Sequence, residues 1–182
     1  MTRLRAFAVD ETGTATIEFC FIIPIVMMIF MASVESSMYM ARHVMLERSV
    51  DIVVRNIRLG NFDSLTHAEL KAEICNGGMM ARSAQTCIDS MLIWMQPINT
   101  ADFAMIAPPR GCVDRSEPID PLLVPTGSEF AYGSDNEIML MRICLKEDPM
   151  FPTSVVGAAM IENETDGSYA LLTTTVFVNE PG

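Results

Sequence analysis

Residues 19–34 read FCFIIPIVMMIFMASV and contain no charged side chain. As an α-helix these 16 residues are about 24 Å long, a little short of the ~30 Å hydrocarbon core of a bilayer. We therefore predict that the span continues to Met38, with Glu35 near a membrane interface. Pro24 lies within the stretch, and membrane helices tolerate proline better than soluble helices do. The stretch predicts a single membrane-spanning helix.

The charges around this stretch indicate the direction in which the chain crosses. Arg3 and Arg5 precede it, and they favour a cytoplasmic N-terminus because the orientation bias counts Lys and Arg. Four arginines after the stretch weaken that bias: Arg42, Arg48, Arg55 and Arg58. A cleaved secretory signal is the alternative. Its charged start would include Asp10, Glu11 and Glu18, which is long and acidic for such a signal.

A glycine motif stands directly before the apolar stretch. Residues 13–19 read GTATIEF, so Gly13 is followed by four residues and then by the pair Glu18 and Phe19. Glycine has no side chain, which allows its backbone to enter a narrow protease active site. A carboxylate at mid-membrane costs about 2.5–3.5 kcal/mol and less near an edge. Glu18 therefore requires a partner; the alternative is that it lies at the membrane boundary, where a carboxylate costs little.

This motif resembles the processing site of type IV prepilins. The run ETGTATIEFCFIIPIVMMIF is most similar to the TadE/TadF-like minor pilins of the tight-adherence (Flp) pilus system. The resemblance implies that a prepilin peptidase cuts between Gly13 and Thr14 and removes residues 1–13 as a leader. Glu18 and Phe19 then form the processing and assembly motif, with Glu18 paired to the new amine of Thr14 in its own or a neighbouring subunit. Beyond the apolar stretch the resemblance is loose and rests on four cysteines and residues 179–181.

The resemblance also implies a location and partners. The expected protein is a minor pilin or pseudopilin of the bacterial inner membrane, with a periplasmic C-terminal domain, that acts in assembly of an adhesive pilus and can enter the extracellular fibre. Its implied partners are the prepilin peptidase, the major pilin and other minor pilins, the inner-membrane assembly platform and membrane lipid. The alternative is a membrane-anchored extracytoplasmic binding module that keeps its N-terminus and enters no fibre.

Helical spacing continues beyond the apolar stretch. Apolar residues recur every three to five positions, at Met38, Ala41, Met45, Val50, Val53 and Ile57. We predict one helix over residues 14–60, ended by Gly60 and Asn61. Its first half is expected to lie in the membrane or fibre core, and its second half to carry the domain. Its charged residues, among them Arg42 and Glu47, are predicted to face solvent, with pairing between subunits as the alternative.

Residues 61–182 predict a small extracytoplasmic α+β domain. Thr66 and Glu69 match a capping box that starts a helix ending at about Cys75. Strands are predicted over residues 90–98, 137–146 and 168–178, and Pro97 restricts the first to a sheet edge or a strand end. Residues 107–133 hold five prolines and form an irregular excursion. The expected fold is a long hydrophobic helix followed by an antiparallel sheet of about three strands and one or two short helices.

Four cysteines beyond the membrane segment predict two disulfides: Cys75, Cys87, Cys112 and Cys144. An even number of cysteines in an oxidising compartment favours disulfides, and three pairings are possible. We prefer Cys75 with Cys87, which flank a short loop, and Cys112 with Cys144, which would attach the proline-rich excursion to a strand. Zinc is the alternative, but the sequence contains no Cys-x-x-Cys pair. We predict no metal and no cofactor.

The remaining features argue against catalysis and nucleic-acid binding. Residues 61–182 contain 17 acidic residues and 6 Lys and Arg, whereas phosphate contacts require concentrated positive charge. The sequence has no glycine-rich phosphate loop and no Gly-x-Ser-x-Gly. His43 and His67 are predicted to be surface or capping residues rather than general bases. The sequence therefore predicts a structural subunit and not an enzyme.

Overall fold

The computed structural model describes residues 14–62, 65–77, 83–101, 112–113, 115, 130–162 and 165–180. The elements in chain order are helix α1 (Thr14–Arg58), helix α2 (His67–Asn76), helix α3 (Ala84–Ser90), strand β1 (Met91–Pro97), strand β2 (Ile138–Glu147), helix α4 (Val155–Ile161) and strand β3 (Tyr169–Val178). A long helix thus precedes a small domain with one sheet. The predicted α+β fold is confirmed.

Helix α1 is continuous over 45 residues, which makes it about 68 Å long. It runs through Pro24 and is followed by Gly60, whose φ of +66° lies in the left-handed region. The N–H of Asn61 donates to the carbonyl of Asn56 at 3.1 Å, and that of Gly60 donates to the carbonyl of Ile57 at 3.0 Å. These bonds satisfy carbonyls that a helix end leaves free. The predicted helix stop is confirmed.

The three strands form one antiparallel sheet in the order β1-β2-β3. In its register Met95 lies opposite Met141, which lies opposite Thr175. β1 is an edge strand and Pro97 is its last residue, in agreement with the prediction, because proline has no N–H for a ladder. Phe130 makes a parallel bridge to Met95 on the outer side of β1.

One hydrophobic core joins the sheet to the helices. Side chains alternate between the two faces of a strand, and one face supplies Met91, Ile93, Met95, Met139, Met141, Ile143, Leu145, Tyr169, Leu171 and Phe177. The helices supply Leu46, Val50, Val53, Val54, Ile57, Leu70 and Ile74. The second half of α1 is therefore part of the domain core, as predicted.

The face of α1 that packs on the domain differs from the prediction in its middle turns. The apolar spacing places Met38 and Met45 on the packed face, whereas the buried residues are Glu35, Arg42 and Leu46. The prediction that Arg42 faces solvent is wrong, because only 9% of that residue is exposed. A hydrophobic pattern cannot reveal this face, since two of its positions are charged.

Three short helices complete the described domain. α2 begins at the predicted capping box, in which Thr66 accepts from the N–H of Glu69. α3 and α4 are not predicted. Each begins after a serine whose hydroxyl accepts a backbone N–H, and this N-cap pattern is the local signal that could have located them. Ser83 accepts from Thr86 at 3.1 Å, and Ser154 accepts from Gly157 at 3.0 Å.

Candidate functional site

The first part of α1 projects from the domain with its apolar side chains uncovered. Every residue from 16 to 30 is exposed, including Phe19 at 61% and Phe21 at 73%. Within the described residues one helix, α1, is long and apolar enough to cross a membrane, with a mean hydropathy of 2.4 over its apolar window. Continuous apolar surface of this extent marks contact with lipid or protein. We call residues 16–34 the bare segment, in which Met31, Ala32 and Val34, next to the domain, are half-buried.

The predicted processing motif lies at the start of this segment. Thr14 is the first residue of α1, and Glu18 follows four positions later, one turn along the same side of the helix. Glu18 and Phe19 are both exposed. Glu18 is the single charged residue between positions 14 and 34. Gly13 lies outside the described residues.

The bare segment ends at Glu35, where the domain begins to hold α1. The Glu35 carboxylate is fully buried and accepts the backbone N–H of Met150 at 3.1 Å and that of Phe151 at 2.7 Å. Hydrogen bonds to an ionised carboxylate are roughly twice as strong as neutral ones. The predicted span to Met38 requires Glu35 at a lipid interface. The structure places the Glu35 carboxylate inside the domain, against Met150 and Phe151, and the position of the span relative to a membrane stays a prediction.

Arg42, two turns beyond Glu35, connects α1 to the sheet. Its Nη1 donates to the carbonyl of Asp148 at 2.8 Å and to the hydroxyl of Tyr169 at 2.6 Å, and lies 3.7 Å from the carboxylate of Glu147. Burial raises the pKa of Tyr169, so its hydroxyl stays neutral and accepts from Arg42. These groups replace the hydration of Nη1, which a buried arginine requires. Glu35 and Arg42 together fix the orientation of the domain on α1.

A second group of charged side chains, centred on Asp166, lies at the same end of the sheet as the contacts of Arg42. The Asp166 carboxylate accepts Nζ of Lys146 at 3.0 Å, the hydroxyl of Ser168 at 2.5 Å and the backbone N–H of Arg115 at 3.2 Å. Burial by itself raises the pKa of Asp166, but these hydrogen bonds outweigh it and hold the pKa well below its usual range. Arg115 also pairs with Asp148. These contacts join strand β2, the residue before strand β3 and Arg115.

His67 is a structural residue between α2 and β1. Its Nε2 lies within hydrogen-bond distance of both the N–H (3.3 Å) and the carbonyl (3.1 Å) of Ile93, and its ring packs edge-on against Phe130. Burial, with a contribution from nearby Lys71, lowers the pKa of His67 to about 4. The surface or capping role predicted for His67 is therefore wrong. His43 is half-buried on α1, 3.5 Å from Glu47.

We expect the domain to lose stability as the pH falls from 6.5 towards 4. In this window His67 is protonated in the unfolded chain, whose pKa is the ordinary 6.5, but stays neutral in the folded chain. The unfolded state then binds more protons than the folded state, so the domain becomes less stable as the pH decreases. The contribution of His67 to stability is present in full above about pH 6.5. His67→Gln removes this titration and should flatten the dependence of the thermal unfolding temperature on pH. An equally steep dependence in the variant would contradict the assignment.

Two disulfides are present, and they join the cysteines in the preferred pairs. Cys75–Cys87 links the end of α2 to α3 with a Cα–Cα distance of 5.9 Å, and Cys112–Cys144 attaches residue 112 to β2 at 5.4 Å. Cys20 is free and exposed on the bare segment. In the part of the chain that the structure describes, no group of three or more His, Cys, Asp and Glu side chains is placed to hold a metal ion.

The fold and this site define a class of protein: a small disulfide-bonded α+β domain carried on the second half of a long helix whose first half is apolar and bare. Residues 13–55 match the family model described as TadE-like protein, and the resemblance is confirmed over this segment. The match begins at Gly13 and ends near the end of α1. No curated protein and no solved structure gives a significant match to the chain.

Proposed function

We propose that this chain is a minor pilin or pseudopilin of a Tad (Flp) pilus, anchored in the bacterial inner membrane before assembly. The observation that carries the proposal is the position of the TadE-like match, which starts at the glycine motif and covers the whole bare segment. A subunit that functions through its N-terminal helix must keep that helix free of its own domain. The bare segment meets this requirement.

Maturation supplies the partner that Glu18 requires. Cleavage by the prepilin peptidase between Gly13 and Thr14 leaves 182 − 13 = 169 residues and a new ammonium group at Thr14. Thr14 and Glu18 are separated by about 6 Å along the helix axis, so the ammonium can pair with Glu18 of the same chain or of a neighbour. The pairing removes the cost of an isolated carboxylate in an apolar environment.

Assembly then packs the bare segments of neighbouring subunits together. In lipid this association depends on side-chain packing and on polar pairs, because lipid tails are as apolar as the helix surface itself. The ammonium–Glu18 pair supplies a polar contact, and the domain faces the periplasm. The partners are the prepilin peptidase, the major pilin, other minor pilins and the inner-membrane assembly platform. The role is structural rather than enzymatic.

Processing is tested by the intact mass of the protein extracted from membranes of a cell that contains the peptidase. The native chain should lack residues 1–13. Gly13→Glu should remain at full length, because a long charged side chain prevents close approach of the backbone to the protease. Glu18→Ala is the matched control: it should still be cut but should fail to support pilus assembly, since its ammonium group has lost its partner.

A native chain at full length would overturn the proposal and support the anchored binding module instead. Normal processing of Gly13→Glu would show that the glycine motif is not the processing site. Unimpaired piliation in Glu18→Ala would refute the ammonium–carboxylate pairing while leaving the cleavage site in place.

A further inference from the structure

The domain presents an uncharged surface directly beside the bare segment. Residues 149–161 read PMFPTSVVGAAMI and include the whole of α4. Met150 is 49% exposed and Val155 is 62% exposed. These thirteen residues carry no charge, although the surrounding domain is strongly acidic. We call residues 149–161 the apolar ledge.

Contacts with α1 fix the position of the ledge along the axis of that helix. Glu35 accepts the N–H groups of Met150 and Phe151, and Val156 and Met160 line a groove of about 360 Å³ against α1 residues 36–40. Residues 36–40 lie about 3–9 Å beyond Val34 along the helix axis. The polar headgroup layer on each side of a bilayer is roughly 5–8 Å thick. If the bare segment spans a bilayer, the ledge is therefore level with the headgroups.

The ledge is also a rigid unit. A Cβ on Gly157 would lie 2.2 Å from the carbonyl oxygen of Phe151, so only glycine allows α4 to pack this closely against the preceding loop. Ser154 caps the helix by accepting the N–H of Gly157. The loop before α4, α4 itself and α1 are packed together, and this packing keeps the side chains of Met150 and Val155 exposed.

The length of the uncharged stretch within the bare segment adds a second argument. The uncharged stretch between Glu18 and Glu35 has 16 residues and is about 24 Å long, roughly 6 Å shorter than a hydrocarbon core. A short span is accommodated when flanking structure is drawn towards the membrane or the bilayer thins. An acidic surface would oppose this movement. The ledge, which is uncharged, permits it.

We propose that the apolar ledge contacts the lipid of the same bilayer that α1 crosses and rests at the boundary between headgroups and acyl chains. Interfacial helices bury their apolar faces about 5–10 Å into this boundary. This proposal rests on the proposed function, because it requires that the bare segment spans a membrane. It assigns the ledge a role in setting the height and tilt of the domain before assembly.

The test uses the full chain in vesicles of phosphatidylethanolamine and phosphatidylglycerol, with and without lipid brominated near the top of the acyl chain. Val155→Trp places a fluorophore on the ledge. Val176→Trp is the matched control, because Val176 is 59% exposed on β3. The ring of Tyr169, at the start of β3, lies 5.6 Å from that of Tyr39, so Val176 is about 20 Å further along the strand, away from the ledge. Trp94 is 3% exposed, and the native chain measures its background.

We expect the added emission of Val155→Trp to be blue-shifted and quenched by the brominated lipid severalfold more than that of Val176→Trp. Equal quenching of the two variants, in protein that floats with the vesicles, would overturn the ledge proposal and leave the membrane anchor intact. A blue shift without lipid quenching would overturn it as well, because protein would then cover the ledge. Protein that does not float with the vesicles would overturn both the ledge and the anchor.

Discussion

Loss of either disulfide is expected to destabilise the domain by about 3–4 kcal/mol. Cys75–Cys87 and Cys112–Cys144 close loops with sequence separations of 12 and 32 residues. In the chain-entropy model, loops of these lengths correspond to about 3 and about 4 kcal/mol of stability, because the cross-link restricts the unfolded chain. A domain of this size has a small core, so such a loss is a large part of its total stability.

The measurement is thermal unfolding in detergent, followed by circular dichroism, with each pair of cysteines replaced by alanine. Alanine is preferred to serine because Cys75, Cys87 and Cys144 are buried, and serine would bury an unpartnered hydroxyl. Each double variant should unfold roughly 10 °C or more below the native chain. Cys20→Ala is the control and should leave the unfolding temperature unchanged, since Cys20 is free and exposed. If both double variants unfold at the same temperature as the native chain, the prediction is wrong.

Glu35→Ala is expected to destabilise the junction between α1 and the domain by about 3 kcal/mol. The substitution removes the acceptor of two N–H groups, at Met150 and Phe151, and leaves both without a protein partner in a part-buried site. A hydrogen bond to a charged group contributes about 1.5–3 kcal/mol, and a buried donor left unsatisfied costs its desolvation. Glu35→Gln retains one carbonyl acceptor and should show an intermediate loss.

Two readouts distinguish this effect from a general loss of charge. The unfolding temperature should fall in Glu35→Ala but not in Glu47→Ala, because the Glu47 side chain is 52% exposed and its contact with His43 is a surface pair. Amide hydrogen exchange should accelerate at Met150 and Phe151 well before global unfolding. Unchanged protection of these two amides in Glu35→Ala would show that the Glu35 carboxylate does not hold the loop.

The local signals in the sequence predicted the elements of this fold with accuracy. α1 ends within two residues of its predicted stop at Gly60, and α2 begins at the capping box of Thr66 and Glu69. The three strands match their predicted ranges to within one residue at either end. These features depend on the spacing of apolar residues, on helix caps and on glycine conformation. All three are determined by residues that are close together in the sequence.

Several features that support the proposed function are also local in the sequence. The glycine motif, the position of Glu18 and the length of the apolar stretch are properties of consecutive residues, so the sequence alone determines them. The resemblance to TadE-like proteins lies in this segment, and the family match over residues 13–55 falls there as well. The sequence also carries the serine N-caps of α3 and α4, although these short helices lack a clear apolar period.

Only the tertiary structure decides where the bare segment ends and what lies beside its end. Glu35 is held by an N–H group 116 residues away, and Arg42 by a hydroxyl 127 residues away. Hydropathy assigns both residues to solvent or to a membrane interface, because a charged side chain is buried only where distant partners replace its hydration. His67 follows the same rule, since its low pKa arises from burial beside Ile93. The position that we propose for the ledge has the same origin, because Glu35 binds Met150 and Phe151 in the loop that precedes α4.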